Sequence, residues 1–155
     1  MIATGWCTPG KATRVGLRIA RVGTYRPVKG AAARIKVLLA DDDAAYLESL
    51  RRLIESQPDL SVIGQAADGL GAIELADEVE PDAAVIDVHM PLLDGITAIA
   101  RLRRDHPSLC LIAITGDREP QLLLAAEEAG ADAVLLKDEL VDNLVERLAS
   151  ARRRS

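Results

Sequence analysis

Four stretches of this 155-residue sequence end an apolar run on a reactive side chain. In "LLADDD" the run closes on Asp41, Asp42 and Asp43, and in "AAVIDVHMPLLDG" on Asp87. In "LCLIAIT" it closes on Thr115, and in "AVLLK" on Lys137. Carboxylates crowded together repel one another unless a cation joins them. Hard oxygen donors suit Mg²⁺, which takes one or two carboxylates plus a phosphate oxygen and keeps several waters. A carboxylate beside that ion is a nucleophile for a phosphoryl group and would become an aspartyl phosphate. An ammonium and a hydroxyl nearby would stabilise the charge spread over the transferring oxygens. These residue types point to a phosphoryl-acceptor site, if one fold brings the four stretches together.

The pattern between them predicts such a fold. Aliphatic runs predict strands at 35–40, 60–66, 83–87, 109–115 and 133–137. Helical spacing predicts helices at 44–57, 69–79, 95–106, 120–130 and 140–151. Leu47, Leu50 and Ile54 share one face of the first helix, with Asp43 placed to cap it. Ile96, Ile99 and Leu102 do the same in the third, and Leu140, Leu144 and Leu148 in the fifth. Pro120 and Gly130 bracket the fourth, as proline and glycine often do. Strict alternation implies βαβ units, a parallel sheet and right-handed crossovers. Continuous aliphatic strands imply burial on both faces. The expected class is α/β, a doubly wound (βα)5 five-stranded sheet. Ligands of open parallel sheets sit beyond the carboxyl ends of the strands. Asp41, Asp42, Asp87, Thr115 and Lys137 all fall at that edge.

Composition narrows the function. The chain is 49% apolar and 28% charged, with one Trp, two Tyr and no Phe, so the core must be aliphatic. No stretch approaches the about 18 apolar residues of a membrane span, and the start lacks a compact secretory signal. Cys7 and Cys110 do not make a disulfide framework, and a reducing cytoplasm is expected. Residues 1–34 hold seven Lys or Arg and no acid. The remainder has 12 basic and 24 acidic residues, which argues against its gripping a nucleic-acid backbone by itself. Residues 1–34 are expected to be a basic extension, disordered or the product of an upstream start. A membrane- or partner-binding segment is the alternative. Within it "GWCTPGKAT" nearly spells a P-loop, but Ala12 stands where Ser or Thr should hold Mg²⁺ and no strand precedes it. The two histidines lack the ligand spacing of a transition-metal site.

From about Ile35 to Arg152 the chain resembles the receiver domain of bacterial two-component response regulators. "LLADDD", "VIDVHMPLLDG", "AIT" and "GADAVLLKD" carry the resemblance, in that order and spacing. It implies a flavodoxin-like sheet of order 2-1-3-4-5 and a receiver over residues 35–155. It also implies Asp87 as phosphoacceptor and Asp41 and Asp42 as the acidic pair for Mg²⁺, with Asp42 favoured as the direct ligand. Asp87 and the backbone carbonyl of His89 would complete the metal site. Thr115 would bond a phosphoryl oxygen and move, and Lys137 would pair with the phosphate. The His89 side chain and Asp117 are expected to tune water access. The implied donor is a sensor histidine kinase. The domain would not be an enzyme beyond its own transfer and slow hydrolysis.

Two departures bear on signalling. The aromatic switch position of many receivers is Val134 here, so Thr115 and loop movement must carry the signal. Asp138 follows the lysine where many members have proline, as in regulators with a C-terminal helix-turn-helix. The chain stops at Ser155, just after the fifth helix. It is read either as a stand-alone receiver with an unknown output partner or as the receiver part of a regulator whose DNA-binding domain is missing. A phosphorylation-independent binding module is the further alternative. An aspartyl-nucleophile phosphatase fits less well: its nucleophile belongs on strand one with a second Asp two residues on and a Thr nearby, and "DDDAAY" has Asp43 two residues after Asp41 but no such Thr. The apolar face of the last two helices is core or part of a homodimer surface.

Overall fold

A computed structural model describes residues 34–154. The strands are β1 (Ile35–Ala40), β2 (Leu60–Ala66), β3 (Ala83–Asp87), β4 (Cys110–Thr115) and β5 (Ala133–Leu136). The helices are α1 (Ala44–Glu55), α2 (Gly69–Val79), α3 (Gly95–Asp105), α4 (Pro120–Ala129) and α5 (Leu140–Arg154), with a 3₁₀ turn at Lys137–Glu139. All strands pair in parallel, in the order β2-β1-β3-β4-β5. The expectations for the N-terminal basic stretch, the near-P-loop and Cys7 lie outside the described residues.

Period-two alternation in β1 sorts its side chains onto two faces. Ile35, Val37 and Leu39 pack with Leu47, Leu50 and Ile54 of α1 and with Leu140, Leu144 and Leu148 of α5. Leu38 and Ala40 face the other way, onto Ala72 and Ala76 of α2, Ile99 and Leu102 of α3 and Ala126 of α4. The leucine stripe of α5 is therefore core, not an open face. Helices α1, α2 and α3 each start on an aspartate, Asp43, Asp68 and Asp94, whose side chain accepts from first-turn N–H groups. Such caps contribute about 1 kcal/mol each.

Register sets the height of the functional ends. Ala40 pairs with Ile86, which puts Asp41 level with Asp87. Asp87 pairs with Ile114, and Thr115 with Leu136. Thr115 thus stands one step above Asp87, and Lys137 one step above Thr115. Lys137 was expected to end strand five; it opens the 3₁₀ turn instead, because β5 is an edge strand whose ladder ends where β4 ends. Strand four likewise begins at Cys110 rather than 109, and α5 runs to Arg154 rather than 151. Cys110 is fully buried at the start of β4.

One arginine fastens the far end of the sheet. Arg103 of α3 donates to the carbonyls of Gly130 (2.9 Å), Pro107 (2.8 Å) and Leu109 (2.9 Å), and to Asp132 Oδ2 (2.7 Å). The same carboxylate oxygen accepts from Leu111 N–H at 2.9 Å. The fork of the guanidinium thus ties α3 to the approaches of both β4 and β5. Arg103→Ala should lower the unfolding free energy by about 2 kcal/mol, read by urea denaturation, since charge-assisted bonds to partly buried carbonyls are lost together. Arg103→Lys should recover only part of that.

Candidate functional site

The site is built at the carboxyl ends of β1, β3, β4 and β5. Asp41 is fully buried. Its N–H donates to Ala66 O (3.1 Å), and its Oδ1 accepts from Asp43 N–H (2.9 Å). Asp42, held between them, is exposed. Asp87 ends β3 and is 4% exposed. One carboxylate oxygen from each of Asp41, Asp42 and Asp87 lies within 4.8 Å of the others. Lys137 Nζ bonds Asp41 Oδ2 at 2.8 Å and stands 3.5 Å from Asp87 Oδ2. Thr115 is buried at the same edge, and its hydroxyl accepts from Asp117 N–H at 3.0 Å. His89 N–H points at Asp87 Oδ1 over 3.4 Å. The exposed His89 ring reaches Asp117 Oδ2 at 3.9 Å. Of the residues singled out from the sequence, Asp41, Asp42, Asp87 and Lys137 converge directly, and Thr115 and His89 flank them.

The electrostatics follow from crowding. Burial, and next the charge of Asp41, push the Asp87 carboxyl up to about 6, against the opposing pull of Lys137 and the His89 N–H. Burial alone would lower the Lys137 ammonium, but its bond to Asp41 and the charges of Asp87 and Asp41 hold it above its ordinary value. Three carboxylates against one ammonium leave net negative charge. A hard divalent cation fits this all-oxygen donor set.

Two neighbours carry no sequence signal of their own. Gly95 opens α3, and its N–H donates to Val88 O at 2.9 Å. A Cβ there would meet Asp87 O at 2.0 Å and Val88 Cα at 2.7 Å. The loop after β3 therefore folds back onto the backbone of Asp87 itself. Only the Asp94-Gly95 dipeptide, a helix-start pair, hints at this in the sequence. Tyr46 lies in the first turn of α1, with the Lys137 ammonium 4.4 Å from its ring centroid. Across the mouth of the site Arg118 pairs with Asp138, joining the turn after Thr115 to the turn of Lys137.

Comparison with known proteins decides what this arrangement is. The response regulator receiver domain profile matches residues 37–149. The chain belongs to the response regulator receiver family. It is 36% identical over 116 residues to the transcriptional regulatory protein YdfI of Bacillus subtilis, covering 75% of this chain and 54% of that protein. It is 36% identical over 110 residues to a protein-glutamate methylesterase/protein-glutamine glutaminase of Cupriavidus pinatubonensis, covering 70% of this chain and 31% of that protein. Its structure resembles the signal receiver domain of a NarL regulator from Mycobacterium tuberculosis, with a TM-score of 0.73 and 28% identity, covering 77% of this chain and 96% of that one. The chain spans about half the length of the transcriptional regulators it matches.

Membership makes the receiver a phosphorylation-dependent switch of two-component signalling. Its sheet order is the one the resemblance implied. Val134, at the aromatic position of many receivers, is half-buried against the α2–α4 face of the core. Among the described residues no helix is long and apolar enough to cross a membrane.

Proposed function

We propose that the Asp87 carboxylate accepts a phosphoryl group from a sensor histidine kinase in the cytoplasm. The observation that carries this reading is the pairing of a buried, charge-crowded Asp87 with Asp41, Asp42 and Lys137 within reach. An Asp87 oxygen attacks phosphorus, the P–N bond to the kinase histidine breaks, and the electron pair leaves with the imidazole nitrogen. Mg²⁺ would be held by Asp41, Asp42, Asp87 and the His89 backbone carbonyl, and would neutralise charge on the transferring oxygens. Lys137 pairs with one phosphoryl oxygen. The Thr115 hydroxyl keeps its own proton to donate to another, since its bond to Asp117 uses it only as acceptor. Movement of Thr115 pulls the turn that carries Arg118 and so strains the Arg118–Asp138 pair. With valine at 134, this loop carries the signal. The exposed ring of His89 and Asp117 flank the mouth of the site and set how fast water reaches the phosphoryl group.

The output reading follows the relatives. Named transcriptional regulators about twice the span of the match support a DNA-binding output domain beyond this receiver. A separate output protein is the second reading. The receiver itself transforms no metabolite in this proposal, although an output domain with its own activity, as in the methylesterase relative, is compatible with it. Assembly as a homodimer would use α4, where Leu124 is 53% exposed.

Intact-mass spectrometry after incubation with acetyl phosphate and Mg²⁺ tests the proposal. One added phosphoryl group is expected in the wild type, and none in Asp87→Asn or without metal. A label persisting in Asp87→Asn overturns the assignment of the acceptor. No label, together with no beryllofluoride-induced shift in the amide spectrum, favours a phosphorylation-independent binding module.

A further inference from the structure

The Lys137 ammonium has two carboxylates on one side and an aromatic face on another. Nζ lies 2.8 Å from Asp41, 3.5 Å from Asp87 and 4.4 Å from the Tyr46 ring centroid. A lysine on a four-carbon stem has many rotamers, and two competing carboxylates do not fix one of them. The ring supplies a third contact, attractive to a cation and closed to water. Its direction is set by the turn that sets the acidic pair. Asp43 bonds back to Asp41 through its N–H, and its side chain accepts from Tyr46 N–H at 3.2 Å. The Tyr46 hydroxyl is enclosed without a hydrogen-bond partner, so the ring and not the hydroxyl makes the useful contact.

We propose that Tyr46 is a positioning residue that holds the Lys137 ammonium over the acceptor pocket. The proposal rests on the reading of Asp87 as acceptor and names what pre-organises the lysine of that site. The ring limits the ammonium to the arc between Asp41 and Asp87, so that it meets the incoming phosphoryl oxygen without a rotamer search. The ring touches neither phosphorus nor its oxygens.

The test is the rate of phosphoryl incorporation against acetyl phosphate concentration at saturating Mg²⁺. Tyr46→Phe keeps the ring and should stay within about twofold of wild type. Tyr46→Leu, which keeps apolar bulk against the core, should lower the maximal rate about fivefold, equivalent to ~1 kcal/mol, with the half-saturating concentration unchanged. In a Lys137→Ala background the leucine variant should add no further loss. Equal loss in both backgrounds would make Tyr46 a packing residue only, and a slow Tyr46→Phe would make the hydroxyl the acting group; either overturns the proposal. A second readout stands apart from phosphorylation. The side-chain protons of Lys137 should show a ring-current shift in NMR, kept in Tyr46→Phe and lost in Tyr46→Leu. Wild type that shows this shift but takes no label removes the acceptor reading. Wild type that takes label but shows no shift removes the role of Tyr46.

Discussion

In metal-free buffer near pH 7.5, Asp87→Asn should be more stable to urea than wild type by about 3 kcal/mol. Losing a charged residue usually costs a protein something, so the sign is diagnostic. The folded carboxyl titrates at about 6 against 3.8 in its ordinary state. Between these values the native state binds a proton that the unfolded chain has released. Stability is therefore full below about pH 4 and is lost as pH rises through about 6; above that the deficit is constant. The asparagine variant lacks this titration, so its stability over the same window should be flatter, and the two curves should meet near pH 4. Adding Mg²⁺ should close the gap from the other side, raising the stability of wild type more than that of the variant. Equal stability of the two proteins at pH 7.5, with no dependence of the difference on pH, would mean that Lys137 already balances the pocket.

That strain has a physical origin that the sequence shows in part. The strand ending in Asp87 reads as buried from Ala83 to Ile86 alone, and the carboxylate at its end reads as exceptional for the same reason. Chain alternation gives the layers, and strand ends give the edge. The height of each residue at that edge needs the register, which no local pattern states. Lys137 shows the consequence. Its sequence position suggests the tip of a strand; the ladder stops one residue short, and the lysine enters a turn from which its long side chain reaches down to Asp41. Tyr46 is hidden for a different reason. An aromatic in the first turn of an amphipathic helix looks like core, and part of it is core. Only the reach of Lys137 from the turn after β5 back to Asp41 makes its ring a surface for an ammonium. Arg103 is hidden as well, since a charged residue on a helix reads as solvated until the turns around Pro107 and Gly130 arrive beside it.

Gly95→Ala should cost about 3 kcal/mol or more, because the clash is with the backbone of Asp87 and Val88. The added methyl would sit 2.0 Å from the Asp87 carbonyl oxygen, and neither that oxygen nor Val88 Cα can turn away as a side chain would. Relief requires the β3–α3 loop to lift and the Gly95 N–H to release Val88 O, which is held at 2.9 Å. Lifting the loop moves His89 as well, and with it the N–H and carbonyl flanking the Asp87 carboxylate. Phosphoryl incorporation should therefore fall further than the loss of folded protein explains, even when measured well below the unfolding temperature. Gly116 supplies the control. It adjoins Thr115 at the same edge, and a Cβ there meets nothing within 4 Å, so Gly116→Ala should stay within about 0.5 kcal/mol of wild type. Similar unfolding midpoints for the two alanine variants would show that the loop after β3 yields easily. The backbone of Asp87 would then be held by its sheet pairing alone, without the helix start that closes over it.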